Sequence, residues 1–152
     1  MDLTRRRILG WAAGAATFGG FAVLSAGGAR ATPEETSKVL SDLTGGSEPK
    51  SGKITLTAPE IAENGNTVPI SVDVDSPMTE DDHVVSVTIL ADGNPNPGVA
   101  TFHFTPMSGS ASATTRIRLA KTQNVIAIAK MSDGSTFVDK KEVKVTIGGC
   151  GG

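Results

Sequence analysis

Residues 68–74 read Val-Pro-Ile-Ser-Val-Asp-Val, with Val68, Ile70, Val72 and Val74 at every second position and polar residues or proline between them. Side chains alternate across a strand with a period of two, so this stretch predicts a β-strand with one face buried and one wet. The same alternation recurs on both sides of it. Ile54 and Leu56 alternate before it; Val85, Val87 and Ile89, then Ala100, Phe102 and Phe104, alternate after it. Further on, Ala113, Thr115, Ile117 and Leu119 are expected inward with Arg116 and Arg118 outward, Val125–Met131 is more uniformly apolar, and Val143, Val145 and Ile147 alternate with Lys144 and Thr146. Turn clusters such as Asp92-Gly93-Asn94-Pro95 and Ser132-Asp133-Gly134-Ser135 separate these runs. Roughly seven or eight strands in about a hundred residues predict an all-β, immunoglobulin-like antiparallel β-sandwich. Only 4% of the residues are aromatic, so the core has to be built from Val, Ile, Leu and Ala. So thin a core invites support from a partner against an open sheet edge.

Ahead of the strands, Thr32-Pro33-Glu34-Glu35 has the form of a helix start: a threonine cap, proline in the first turn and glutamate three residues on. A short N-terminal helix is expected, with Val39, Leu40 and Leu43 as its apolar stripe and Gly45-Gly46 as its stop. Residues 1–31 have a different character. Thr4-Arg5-Arg6-Arg7 is followed by a Gly- and Ala-rich apolar run and by Ala29-Arg30-Ala31, a small-x-small cleavage pattern. This reads as a twin-arginine export signal carried by Arg5 and Arg6, with the periplasm as destination and cleavage after Ala31. Glycines interrupt the apolar run, which falls short of the roughly 20 residues a membrane span needs, so no membrane anchor is expected after cleavage. The division is then a signal peptide over 1–31, a sandwich domain with its helix over 32–147, and a C-terminal tail over 148–152. Without residues 1–31 the chain keeps ten basic and fifteen acidic residues, a net charge of −5, which makes nucleic acid an unsuitable partner.

The chain ends Gly148-Gly149-Cys150-Gly151-Gly152, and Cys150 is its one cysteine. An internal disulfide is therefore excluded, and in an exported protein the thiol is either an intermolecular bridge or a reactive group. Gly148, Gly149, Gly151 and Gly152 read as a mobile thread that presents the sulfur. A catalytic cysteine needs a base fixed beside it, which a glycine tail does not hold. His83 and His103 read as strand histidines that are solvated or structurally hydrogen-bonded. Two histidines and a tail cysteine lack the clustered spacing of a zinc or copper site, and no metal, nucleotide or other cofactor motif is present. The position of Cys150 fits neither a prenylation box nor a lipoprotein signal. A covalent carrier does suit it, because a five-residue thread of about 17 Å can enter a channel closed to a folded domain. In an oxidising compartment the cargo of such a sulfur would be another sulfur, as in thiosulfate, sulfide or polysulfide. Lys140, Lys141 and Lys144 on the preceding strand would favour an anionic adduct, or form an ordinary solvated strand face.

A twin-arginine signal, a short helix, one immunoglobulin-like domain and a terminal VTIGGCGG resemble the SoxY family, the sulfur-carrier subunits of periplasmic thiosulfate oxidation. The resemblance implies that Cys150 is the site of covalent sulfur attachment, with Gly148, Gly149, Gly151 and Gly152 as its carrier arm. It implies that the chain is not an enzyme but is acted on by others: a haem-containing cytochrome that joins thiosulfate to the cysteine, a manganese-dependent hydrolase that releases sulfate, and an enzyme that oxidises the remaining sulfane sulfur. It further implies a heterodimer with a SoxZ-like β-sandwich subunit, exported together. Two rivals stand beside this reading. Gly151-Gly152 would serve a ubiquitin-like carrier that bears sulfur as a terminal thiocarboxylate, and a β-sandwich binding module could use Cys150 for a dimer bridge.

Overall fold

The computed structural model describes residues 33–149; the signal read over 1–31, the cap Thr32, and Cys150, Gly151 and Gly152 lie outside the described residues. Helix α1 (Pro33–Thr44) starts at the proline and stops where the glycines require it to. Gly45 and Gly46 take φ of +63° and +79°, and the Gly46 N–H donates to the Ser41 carbonyl at 2.9 Å, a closure that positive φ makes possible. Among the described residues no helix is long and apolar enough to cross a membrane.

Eight strands follow: β1 (Ile54–Thr57), β2 (Ile61–Asn64), β3 (Val68–Val74), β4 (Val84–Ala91), β5 (Gly98–His103), β6 (Ala111–Ile117), β7 (Gln123–Met131) and β8 (Thr136–Ile147). They form a three-stranded sheet in the order β1-β3-β6 and a five-stranded sheet in the order β2-β8-β7-β4-β5. This is the two-sheet, all-β sandwich with one N-terminal helix that the alternation predicts. In β3 the residues Val68, Ile70, Val72 and Val74 are buried, and β6 lies beside it with Val68 opposite Ile117 and Val74 opposite Ala111. Pro69 falls where β1 has already ended, so its missing N–H costs no bond on that side.

The uniform apolar run of β7 has a structural cause. Val125, Ala127, Ala129 and Met131 face the main core between the sheets, while Ile126 and Ile128 face the other way and join Leu90. Val39, Leu40 and Leu43 of α1, with Val138, pack over that second group, so both faces of β7 are covered. The two sheets are also tied at one side, where the Leu56 N–H of β1 donates to Asp139 Oδ2 of β8 at 2.8 Å.

Four details differ from the sequence reading. Val84 and Val87 are the buried residues at the start of β4, and Val85 is exposed, because a register shift against β7 between Val84 and Ser86 changes the phase. His83 lies one residue ahead of that strand. β2 carries no alternation signal, and it pairs with β8 in parallel, so the sandwich is not wholly antiparallel. β8 starts at Thr136, directly after the Ser132–Ser135 turn, but of its alternating Val143, Val145 and Ile147 only the first is buried, and Ile147 is 67% exposed because the strand has run past the end of the core.

Candidate functional site

β8 hands the chain to its C-terminus, and what surrounds its last residues fixes where the tail starts. Along most of its length β8 has β7 on one side, ending with Gln123 opposite Val143. Past that point the β6–β7 loop takes over the pairing. The Val145 N–H donates to Thr122 Oγ1 at 2.9 Å, and the Gly149 N–H donates to the Leu119 carbonyl at 2.9 Å. On the other side β2 runs parallel, with Ala62 opposite Val145 and Asn64 opposite Ile147. The Gly65 N–H then donates to the Ile147 carbonyl at 2.8 Å, and the Gly65 carbonyl accepts from the Leu119 N–H at 2.8 Å. Gly65, Leu119 and Gly149 thus join three chain segments through their backbones.

So close an approach leaves no room for side chains. A Cβ on Gly65 would meet the Leu119 carbonyl oxygen, the Gly149 nitrogen at 2.8 Å and Val145 Cγ1 at 2.9 Å. One on Gly148 would run into the Ala120 carbonyl oxygen, and one on Gly149 would sit 3.0 Å from the Gly65 carbonyl oxygen. Gly149 is buried and Gly148 exposed. Contacts with the domain thus continue past Ile147 into the expected carrier arm: Gly149 is hydrogen-bonded to Leu119 and Gly148 lies against Ala120, at positions where a side chain would clash.

The β6–β7 loop is itself held by a buried amide. Asn94 is 3% exposed; its Nδ2 donates to the Arg118 carbonyl at 2.8 Å, and its Oδ1 accepts from the Ala120 N–H at 3.0 Å and from Gln123 Nε2 at 2.8 Å. Gln123, also buried, accepts from the Gly93 N–H at 2.7 Å and donates to the Lys121 carbonyl at 3.0 Å. None of Gly65, Asn94 or Leu119 stands out as a site residue in the sequence. Asn94 reads as part of a turn and Leu119 as a strand residue. The Asn64-Gly65-Asn66 turn signal is the available hint for Gly65.

The histidines lie elsewhere. His83 Nδ1 is 3.0 Å from the Thr79 carbonyl, and its backbone carbonyl accepts from the Ser132 N–H at 2.8 Å, which places it by the hairpin that starts β8. The tail leaves from the opposite end of that strand, about 36 Å away at the usual rise per residue. His103 is exposed on β5, separated from β8 by β4 and β7. Lys140, Lys141 and Lys144 are exposed on β8. Among the described residues no group of three or more His, Cys, Asp or Glu could hold a metal ion.

Fold and junction together define a two-sheet β-sandwich whose last strand runs on into backbone contacts with the β2–β3 turn and the β6–β7 loop. The family model described as sulfur oxidation protein SoxY matches residues 40–150, and the chain belongs to the SoxY family. Among solved structures it is similar to the sulfur carrier protein SoxY from Chlorobium limicola f. thiosulfatophilum, with 31% identity and a TM-score of 0.61 over 75% of this chain and 98% of that one. It shares its fold with a superoxide reductase (neelaredoxin) from Ignicoccus hospitalis, at 19% identity and a TM-score of 0.55 over 75% of this chain and 93% of that one. The same holds for a hypothetical protein from Pyrococcus horikoshii, at 15% identity and a TM-score of 0.54 over 69% and 99%. Among curated proteins no sequence match was found.

Proposed function

We propose that the chain is a periplasmic sulfur carrier that binds thiosulfate-derived sulfur covalently on Cys150 and presents it to partner enzymes. The observation that carries this reading is the family match itself, which runs to residue 150 and so includes the cysteine. The geometry supports it from the other direction: β8 and its neighbours bring the chain to Gly149 at one end of the sandwich, directly before that residue.

The chemistry balances without any group on the carrier beyond its sulfur. Thiolate and the outer sulfur of thiosulfate form an S–S bond and give up two electrons, which a haem cytochrome accepts. Water then cleaves the terminal S–S bond of the adduct, releasing sulfate and two protons and leaving a persulfide on Cys150 for a sulfane-oxidising enzyme. The manganese expected in the hydrolase belongs to that partner. A SoxZ-like sandwich subunit would cover part of the domain; β1, β2, β5 and β6 each have a strand on one side only among the described residues.

The test is mass spectrometry of the carrier after incubation with thiosulfate and the oxidising cytochrome. Sulfur is expected on Cys150. Sulfur on the terminal carboxylate would point instead to the ubiquitin-like scheme, and disulfide dimer alone to a binding module. In Cys150→Ser every covalent adduct should vanish while the melting temperature stays the same; thiosulfate oxidation that persists with this variant would end the carrier reading.

A further inference from the structure

The backbone junction at the root of the tail has a property that goes beyond holding a loop. A trans peptide unit points its C=O and N–H in opposite directions. The unit between Arg118 and Leu119 is gripped on one side by Asn94 Nδ2, at the Arg118 carbonyl, and on the other by the Gly65 carbonyl, at the Leu119 N–H. The next unit is gripped by Asn94 Oδ1 at the Ala120 N–H, so its other end, the Leu119 carbonyl, is aimed at Gly149. One buried side chain thus sets both planes, and the tail takes the acceptor that they leave. Leu119, wholly buried, is the pin between them.

We propose that Asn94 is a positioning residue for the root of the tail: it aims the Leu119 carbonyl so that Gly148 and Gly149 dock against Gly65 and Ala120, which shortens the thread left free to carry Cys150 until Gly149 undocks. This rests on reading Cys150 as the attachment site. The docked segment is held by one hydrogen bond and close contact. A bond of that kind favours the docked state by roughly two- to tenfold, enough to dominate and weak enough to open readily. Undocking adds two residues to the free thread, about 7 Å of reach. The junction is therefore a latch on the length of the arm.

The test uses the full mature chain with two substitutions away from the tail. Gly65→Ala places a methyl against Leu119 and Gly149, and Asn94→Asp keeps an acceptor for Ala120 but has no donor for the Arg118 carbonyl. The first readout is hydrogen exchange of the Gly149 amide by NMR. It should be slower than that of Gly151 in the parent and faster by roughly two- to tenfold in both variants, with the strand amides of Val87 and Val125 unchanged. The second is the rate of Cys150 alkylation by maleimide coupled to serum albumin, divided by the rate with free iodoacetamide. Because the bulky reagent needs reach, this ratio should rise by about the same factor. A Gly149 amide that exchanges as fast as Gly151 in the parent overturns the proposal, and so does a released amide with an unchanged ratio. Should Gly65→Ala not fold, Gly148→Ala sets its methyl against the Ala120 carbonyl, leaves the domain untouched, and should show the same faster exchange and raised ratio. Neither readout involves sulfur loading, so failure of the carrier function and failure of the latch are told apart.

Discussion

Gly149 lacks a Cβ for the sake of contact, whereas the freedom expected of a glycine arm concerns residues beyond it. Its N–H is used and its position is buried. The pattern GGCGG could not separate contact from freedom, because a sequence shows the missing side chain but not the backbone about 3 Å away. Asp139 shows a similar gap in legibility. On β8 it sits among Val138, Lys140 and Lys141 and looks like ordinary strand polarity, yet its Oδ2 takes the Leu56 N–H across the sandwich. Replacing Asp139 with Ala leaves that donor without its acceptor, which should cost about 1 kcal/mol at a half-buried position. A domain of this size would then melt roughly 4 °C lower. Asp139→Asn retains an acceptor oxygen and should recover most of the loss; equal melting of the two variants would mean that the side-chain bridge contributes nothing.

Elements with strong periodicity were legible, and those defined by their neighbours were not. β3 and β6 could be read residue by residue because one face of each is core and the other is solvent. α1 was legible from its proline start, its Val39-Leu40-Leu43 stripe and its double glycine. β2 was missed because four residues with one buried alanine, Ala62, carry no pattern; β8 creates it by offering an edge. The phase error at Val85 came from the bulge, which shifts alternation by one residue without changing composition. The role of α1 gives a prediction at this scale. Its stripe covers Leu90, Ile126 and Ile128, all buried, on the outer face of the five-stranded sheet. Leu40 and Leu43 are half-buried, so Leu40→Ala with Leu43→Ala should remove about 2 kcal/mol together. Urea unfolding should show a lower midpoint with an unchanged slope; a midpoint at the parental value would mean that the helix is not fastened through these residues.

At the scale of the whole chain, the export reading of residues 1–31 and the carrier reading of Cys150 are linked proposals, and together they require the domain between them to fold before it travels. On the twin-arginine reading proposed here, the address would be Arg5 and Arg6, and that route is associated with folded cargo. The domain has what such transport demands: a continuous buried core running from Ile54 to Val143 and a second apolar layer under α1. Replacing Arg5 and Arg6 together with Lys keeps the positive charge of the N-terminus while removing the recognised pair. The precursor should then accumulate in the cytoplasm in folded form, with residues 1–31 still attached, and any SoxZ-like subunit exported with it should be retained alongside. Cell fractionation with immunoblotting measures both. A second arm separates the address from the cargo: Leu119→Ala, which opens a cavity at a fully buried position and should cost about 2 to 5 kcal/mol, leaves the arginines intact but lowers the folded fraction. Export should drop in that variant too. Normal export of the Lys pair would mean that another route carries the protein, and normal export of Leu119→Ala, measured at a temperature where the domain is largely unfolded, would mean that folding does not precede transport.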